Sequence, residues 1–424
     1  MKNFLALLVA ALLLGSYVYW VEIKGGREKK EEKAWSERLF QVKKENITKI
    51  LIADKITLEK QKNGWRIVKP VQDIAEASAV NRLLGAIDGA KIKTELEGDS
   101  KEYGLDHPEA TLTLLSGDQS VKVLLGRTDY AGQSVYARLQ DHPKIFLTDL
   151  DLKLALNEDL YYWRSKTLFS LLPDDIEHVE IMRPSGKVVL SKENNSWKLV
   201  SPLQDRANNA NINAILYELR YTKPLLFIDD QKDADFGLDQ PLIQLTATSG
   251  EKKESFLIGK KQGENYYAYN PARTAVFMVG KDVVDKLLFS VDQLRDPILV
   301  PLSLGEIKAI EVIGQEKHFS FTEENGIWQA QGEGRVDIYP IWWHLANARI
   351  ARFDVKASFD KPFVTWKITT KDGQTYRYEA VEADQGCYVR ELPSKRAGFL
   401  AKENCDDLRL KPAAVQPEPE SSSP

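Results

Sequence analysis

The chain has 424 residues, of which 43% are hydrophobic and 28% charged, enough for roughly two to four domains with cores of their own. Its 58 basic residues are outweighed by 62 acidic ones, for a formal net charge of −4. That balance lacks the clustered excess of Lys and Arg needed to hold nucleic-acid phosphates, so no nucleic-acid partner is expected.

Phe4 to Val21 is an uncharged run, FLALLVAALLLGSYVYWV. As a helix it would measure about 27 Å, close to the hydrocarbon thickness of a bilayer. Residues 1–21 therefore read as an N-terminal transmembrane anchor. A cleaved signal peptide is the competing reading. Against it, no two small residues from Ala6 to Lys24 stand in the spacing signal peptidase needs, and Tyr17, Tyr19 and Trp20 suit a membrane interface. No Cys follows the run, which speaks against lipoprotein processing. Lys2 precedes it, whereas Lys24, Arg27, Lys29, Lys30 and Lys33 follow, and a strict count of positive charges puts the bulk of the chain in the cytoplasm. Those residues alternate with Glu22, Glu28, Glu31 and Glu32, and so short an amino tail is typical of an export signal. The expected location is thus the bacterial inner membrane, single-pass, with the bulk periplasmic. Residues 22–45 read as a charged, helix-permissive stalk.

The chain then repeats itself. Trp65-Arg-Ile-Val-Lys-Pro70-Val-Gln-Asp73-Ile-Ala75 returns 132 residues later as Trp197-Lys-Leu-Val-Ser-Pro202-Leu-Gln-Asp205-Arg-Ala207. Tyr103-Gly104-Leu105-Asp106-His-Pro108 returns as Phe236-Gly237-Leu238-Asp239-Gln-Pro241. A period of that length suits a whole small domain rather than a solenoid unit. The expected organisation is module one over 46–172, module two over 173–303, a degenerate module three over 304–412 and a disordered tail over 413–424.

In module one, Ile47 to Glu59 alternates, Asn63-Gly64 marks a turn and Trp65-Arg-Ile-Val returns, predicting a hairpin. Val80, Leu83, Leu84 and Ile87 then fall at helical spacing, matched by Ile212, Ile215, Leu216 and Leu219. A second hairpin runs from Thr111 to Gly126, with its counterpart from Ile243 to Gly259, and strands at Ser134 and Lys144 lead to helical residues that close at Arg164 and, in module two, Arg295. Short connections throughout predict antiparallel sheets with helices on one side, an α+β fold. Module three keeps Trp328, an apolar helix face at Ile341, Leu345 and Ala348, and Phe359-Asp360-Lys-Pro362 without the glycine. Its helix carries Trp342-Trp343-His344, of which at least one aromatic is expected to face a partner or a neighbouring module. Cys387 and Cys405, the only cysteines, flank a predicted hairpin around position 396. Pairing symmetric about that point sets the sulfurs opposite each other as a disulfide, which suits an oxidising compartment; two buried thiols are the alternative.

Each residue of Gly-Leu-Asp-x-Pro has a structural use: positive φ at glycine, an inward leucine, an aspartate accepting local backbone hydrogen bonds, and a proline setting the exit strand. The alternative makes Asp106 and Asp239 ligands or catalytic carboxylates. Trp65, Trp197 and Trp328 read as core anchors rather than stacking platforms. Asp235-Phe236-Gly237 spells the kinase magnesium triplet without its accompanying motifs. The five histidines show no metal-ligand spacing, and no nucleophile elbow or phosphate loop is present. No catalytic residue, cofactor or metal is expected, and the chain is read as a non-enzyme.

An anchor, Trp-x-x-Val-x-Pro, a helix, Tyr-Gly-Leu-Asp-x-Pro and the strand ends Leu125-Gly126 and Ile258-Gly259 together resemble a family of uncharacterised bacterial membrane-anchored proteins. That domain of unknown function is often encoded beside gliding-motility-type ABC transporter subunits. The resemblance covers modules one and two well and module three poorly. It implies an envelope location and an accessory or scaffold role toward a transporter or envelope complex, with a membrane-protein partner. The alternatives are a protein binding a small solute or glycan in a cleft between modules, and a hydrolase with a site built across modules.

Overall fold

The computed structural model describes residues 32–229, 235–315, 317–332, 334–353, 355 and 357–409. The apolar segment expected as an anchor at 1–21 and the tail at 413–424 lie outside the described residues. Among the described residues no helix is long and apolar enough to cross a membrane. Contacts divide the chain into two compact units. The first comprises Met1–Ser170, Leu219–Leu242 and Glu254–Lys281; the second comprises Leu171–Glu218, Ile243–Lys253 and Asp282–Pro424.

The first unit contains a complete sheet of β1 (Lys49–Ile52), β2 (Ile56–Gln61), β3 (Gly64–Lys69), β4 (Asp73–Ile74), β5 (Thr94–Leu96), β6 (Ala110–Ser116), β7 (Gln119–Thr128), β8 (Ser134–Leu139) and β9 (Ile145–Asp149). Their order is β4-β3-β2-β1-β6-β7-β8-β9-β5, with antiparallel neighbours. The second repeat supplies β10 (His178–Met182), β11 (Val188–Glu193), β12 (Ser196–Ser201), β13 (Asp205–Arg206), β14 (Leu226–Ile228), β15 (Ile243–Ser249), β16 (Lys252–Gln262), β17 (Asn265–Tyr269) and β18 (Val276–Gly280). The run β13-β12-β11-β10-β15 in the second unit reproduces β4-β3-β2-β1-β6, and β16-β17-β18-β14 reproduces β7-β8-β9-β5. Also in the second unit, β19 (Ile307–Gly314), β20 (His318–Glu324), β21 (Ile327–Ala330), β22 (Gly334–Arg335), β23 (Val364–Thr370), β24 (Thr375–Ala383), β25 (Gly386–Leu392) and β26 (Ala397–Ala401) form a third sheet, ordered β22-β21-β20-β19-β23-β24-β25-β26. Among the described residues it has no counterpart of β5 and β14; a bridge between Arg352 and Phe399 stands at that edge.

The sequence pattern accounts for this repetition. In β6 the side chains of Ala110, Leu112 and Leu114 are buried alternately, and in β15 Ile243, Leu245 and Ala247 repeat the alternation position for position, as strands with one covered face require. The helix Ala77–Gly89 buries Ala79, Val80, Leu83 and Ile87 in the first core. Ile212, Ile215, Leu216 and Leu219 are all buried on the helix Asn209–Tyr221. The fold is therefore mostly antiparallel sheet with few helices, in tandem modules.

Two expectations need correction. The stalk does not extend to residue 45, because Leu39, Phe40 and Val42 lie in the first core. Leu39 N donates to Ala90 O at 2.9 Å and Arg38 pairs with Asp88; apolar residues following the charged run have a face to bury. Cys387 and Cys405 are bonded, with Cα atoms 5.8 Å apart, but not across the hairpin. Cys387 pairs in register with Leu400, and Cys405 sits on the helix Lys402–Asp407. The turn falls at Pro393-Ser394 rather than around position 396, so the second strand ends early and the helix carries Cys405 back.

Candidate functional site

The Gly-Leu-Asp-x-Pro turn is seated on the strand that follows it in space. Arg127 N donates to Tyr103 O at 2.9 Å, and in the second repeat Lys260 N donates to Phe236 O at 2.8 Å. Gly104 and Gly237 have φ of +70° and +69°, where a side chain would be strained. The glycines that end Leu125-Gly126 and Ile258-Gly259 have a different reason. A Cβ at Gly126 would lie 2.2 Å from Tyr103 O, and one at Gly259 would lie 2.1 Å from Phe236 O. Tyr103 packs on Tyr136 with ring centroids 4.8 Å apart, and Phe236 on Tyr267 at 4.9 Å. Gly126→Ala is accordingly expected to cost about 3 kcal/mol by pushing the turn off its strand, read as a lowered denaturation midpoint. A loss within about 0.5 kcal/mol, the range of an ordinary surface change, would remove this explanation.

Other signature residues divide between core and surface. Leu105 is buried, Leu238 is half-buried, and Pro108 and Pro241 are half-buried. Trp197 and Trp328 are buried, whereas Trp65 is half-buried against the first core. Pro70 and Pro202 are exposed and each follows a cis peptide bond. The expected role of the signature aspartates is not met. Asp106 and Asp239 are exposed, and among the described residues no hydrogen bond reaches either carboxylate. The turn is served instead by Asp99, accepting from Lys101 N at 3.1 Å, and by Asp235, accepting from Gly237 N at 2.9 Å. The Lys260 ammonium holds the Asp235 carboxyl below its usual range. Trp65 on β3 and the Tyr103 turn on β7 stand four strand spacings apart, about 19 Å, so the repeated residues do not converge on one site.

The residues that do converge are others. Asp73, wholly buried, has Arg164 Nε at 2.9 Å, Arg164 Nη2 at 2.8 Å and Arg273 Nη2 at 2.8 Å around Oδ2, while Oδ1 accepts from Ile74 N at 2.8 Å. Arg164 also reaches Asp229 at 2.7 Å, and Arg273 donates to the carbonyls of Ser165 and Thr167. The Phe227 ring lies beneath both guanidiniums, at 3.8 Å from Arg164 Cζ and 5.0 Å from Arg273 Cζ. Backbone bonds from Glu76 N to Trp163 O and from Ser165 N to Ile74 O hold Arg164 beside β4.

The second unit builds the same tie from the next set of residues. Asp205 accepts from Arg295 Nε at 2.6 Å and forms an ion pair with Arg396, whose Nε lies at 2.9 Å, over Phe353, whose ring lies 3.6 Å from Arg295 Cζ and 5.0 Å from Arg396 Cζ. Asn208 N to Leu294 O and Asp296 N to Arg206 O repeat the backbone bonds. Arg206, Asp296 and Glu391 extend the cluster, with Arg206 lying 3.4 Å from Asp296 and 3.2 Å from Glu391. In the first cluster two carboxylates meet two guanidiniums, and in the second three guanidiniums meet Asp205, Asp296 and Glu391, with the exposed Asp292 3.6 Å from Arg295 at the rim, so the buried charge is paired. Each joins a module's closing arginine to an arginine and a phenylalanine of the following one.

Among the described residues, two positions of the end modules depart from the tie's pattern. Glu95, cross-strand from Phe146, stands where Phe227 stands opposite Phe277, and pairs with Lys144 at the surface. Gly334, opposite Ala330, occupies the register place of Asp205 opposite Leu199.

A family model described as Domain of unknown function (DUF4340) matches residues 65–234 and again 197–362, together covering more than half of the chain. The chain belongs to that family. No curated protein matches it. The two DUF4340 matches begin at Trp65 and Trp197, offset by the repeat length, and each overruns into the next module. The first contains Asp73, Arg164 and Phe227, the second Asp205, Arg295 and Phe353. A DUF4340 match therefore carries most of one intermodular tie. Among the described residues no group of three or more His, Cys, Asp or Glu is placed to hold a metal ion.

Asp73 and Asp205 lie within the repeated strings, and Arg164 and Arg295 are 131 residues apart, so half of each tie had a sequence signal. Arg273, Arg396, Phe227 and Phe353 had none.

Proposed function

We propose that this DUF4340 protein is a non-enzymatic, membrane-tethered periplasmic protein, an accessory or scaffold for an envelope or ABC-transporter complex. What supports the reading is where the recurring polar residues go. Asp73 and Asp205 are buried in charge-paired ties between successive modules, and the signature glycines fit a turn to a strand. These are devices for holding a shape, and a protein whose repeated residues maintain shape serves by presenting surface. The uncharged run at 4–21 supplies the tether, and the disulfide between Cys387 and Cys405 suits an oxidising compartment. Trp343, 61% exposed beside the buried Trp342, offers one apolar contact on the third module. Crosslinking in intact membranes followed by purification of the full chain is expected to recover membrane proteins with it. Recovery of the protein alone from several mild detergents would overturn the reading.

A further inference from the structure

The first unit contains a cleft of about 580 Å3 whose lining joins Glu76, Tyr161, Tyr162 and Lys166 to Arg220 and Lys223. Its charge is unbalanced, in contrast to the tie around Asp73, where two carboxylates meet two guanidiniums. Glu76 is the sole carboxylate of the lining, and its two oxygens already accept from Ser78 Oγ at 3.0 Å and Lys166 N at 3.2 Å. Arg220 donates through Nη1 to Phe169 O at 3.1 Å, while its buried Nε has no partner among the described residues. Lys223 is exposed and makes no ion pair among the described residues. Lys166 is half-buried, with Nζ donating to Tyr162 O at 2.7 Å and lying 4.9 Å from the centre of the Tyr161 ring. Burial pulls the Lys166 ammonium below its ordinary range; Glu76 and Asp159 oppose that, and Lys223 and Arg273 add to it. An anion entering the cleft would relieve this repulsion. A second cavity of the first unit, of about 530 Å3, has the opposite balance, with Asp149, Asp151 and Glu158 against Arg82.

The cleft's other feature is aromatic. Tyr161 is 38% exposed, its hydroxyl donating to Pro224 O at 2.9 Å, which fixes the ring at the rim; Tyr162 and Tyr221 also line the space. Guanidinium and ammonium groups in a concave site take carboxylate or phosphate through charge-assisted hydrogen bonds, and flanking ring faces suit the apolar face of a sugar. We propose that this cleft binds a small saccharide bearing an oxyanion, its carboxylate or phosphate held by Lys166, Arg220 and Lys223 and its ring laid on the tyrosines. This goes beyond the scaffold role and does not depend on it.

The test is calorimetric titration of the full chain in detergent micelles with glucuronic acid, glucose 6-phosphate and glucose. At least one of the two charged sugars is expected to bind about ten-fold or more tighter than glucose, as one charge-assisted contact supplies. Lys223→Glu, a change at an exposed side chain, should weaken that binding by about ten-fold or more while leaving the unfolding midpoint in place. Arg220→Gln should weaken it too. Glucose binding as well as both charged sugars, neither charged sugar binding at up to about 10 mM, or an unaltered affinity in Lys223→Glu would each overturn the proposal. None of these outcomes bears on whether membrane proteins crosslink to the chain.

Discussion

Asp73→Ala is expected to destabilise the first unit by about 3–5 kcal/mol, the cost of removing one partner from a buried ion pair. The carboxylate is wholly buried and carries contacts from Arg164 and Arg273. Without it, two buried guanidiniums face one partly exposed carboxylate, Asp229, and a few carbonyl oxygens. Asp205→Ala should act likewise in the second unit, where Arg295 and Arg396 lose their shared partner. A chain of two units need not unfold in one step, so the local readout is amide exchange at Ser165, whose N–H bonds Ile74 O next to the deleted carboxylate. Protection there should fall while that of Leu245, in the second unit, holds. A double-mutant cycle of Asp73→Ala with Arg273→Met should return a coupling above about 1 kcal/mol. A total loss below about 1 kcal/mol, the worth of a surface pair, would mean the ties contribute little to joining the modules.

The legible part of this fold is the part with local periodicity. Val80, Leu83 and Ile87, and 132 residues on Ile212, Ile215 and Leu219, fall at helical spacing and are buried, because a helix packed on a sheet has no other way to cover its apolar stripe. The first hairpin was legible as well, but its turn falls one residue earlier, at Lys62-Asn63, and Gly64 opens β3 opposite Gln61 at φ +115°. The ties are different. Arg273 meets Asp73 across 200 positions, and Phe227 lies on a strand of three residues, too short to show any alternation. Asp106 misled for a related reason: an aspartate before x-Pro fits an Asx-type turn, yet the turn's backbone donors are taken by Asp99 and, in the second repeat, Asp235. The signature glycines were legible as turn glycines at 104 and 237, whereas the close approach at 126 and 259 needed the partner strand.

Breaking the disulfide is expected to cost the second unit about 3 kcal/mol, the chain-entropy value for a loop of this size; Cys387 and Cys405 are 18 residues apart. Both residues are buried in the third core, with Leu408 beside them, and Trp366 Nε1 donates to Leu408 O at 3.0 Å. The covalent bond and this hydrogen bond fasten the helix Lys402–Asp407 at two points. Cys405→Ser should therefore lower the unfolding midpoint and expose Trp366 to quenchers before the rest of the third sheet, because a short helix has little stability of its own. A dithiol reductant should reproduce the loss in the wild type and add nothing in Cys387→Ser/Cys405→Ser. Thiol titration of unfolded protein prepared without reductant carries the compartment question: two blocked sulfurs are expected if the chain matures outside the cytoplasm. Two free thiols in protein blocked at the moment of lysis would count against the bond in the native chain and remove one support for the proposed periplasmic location.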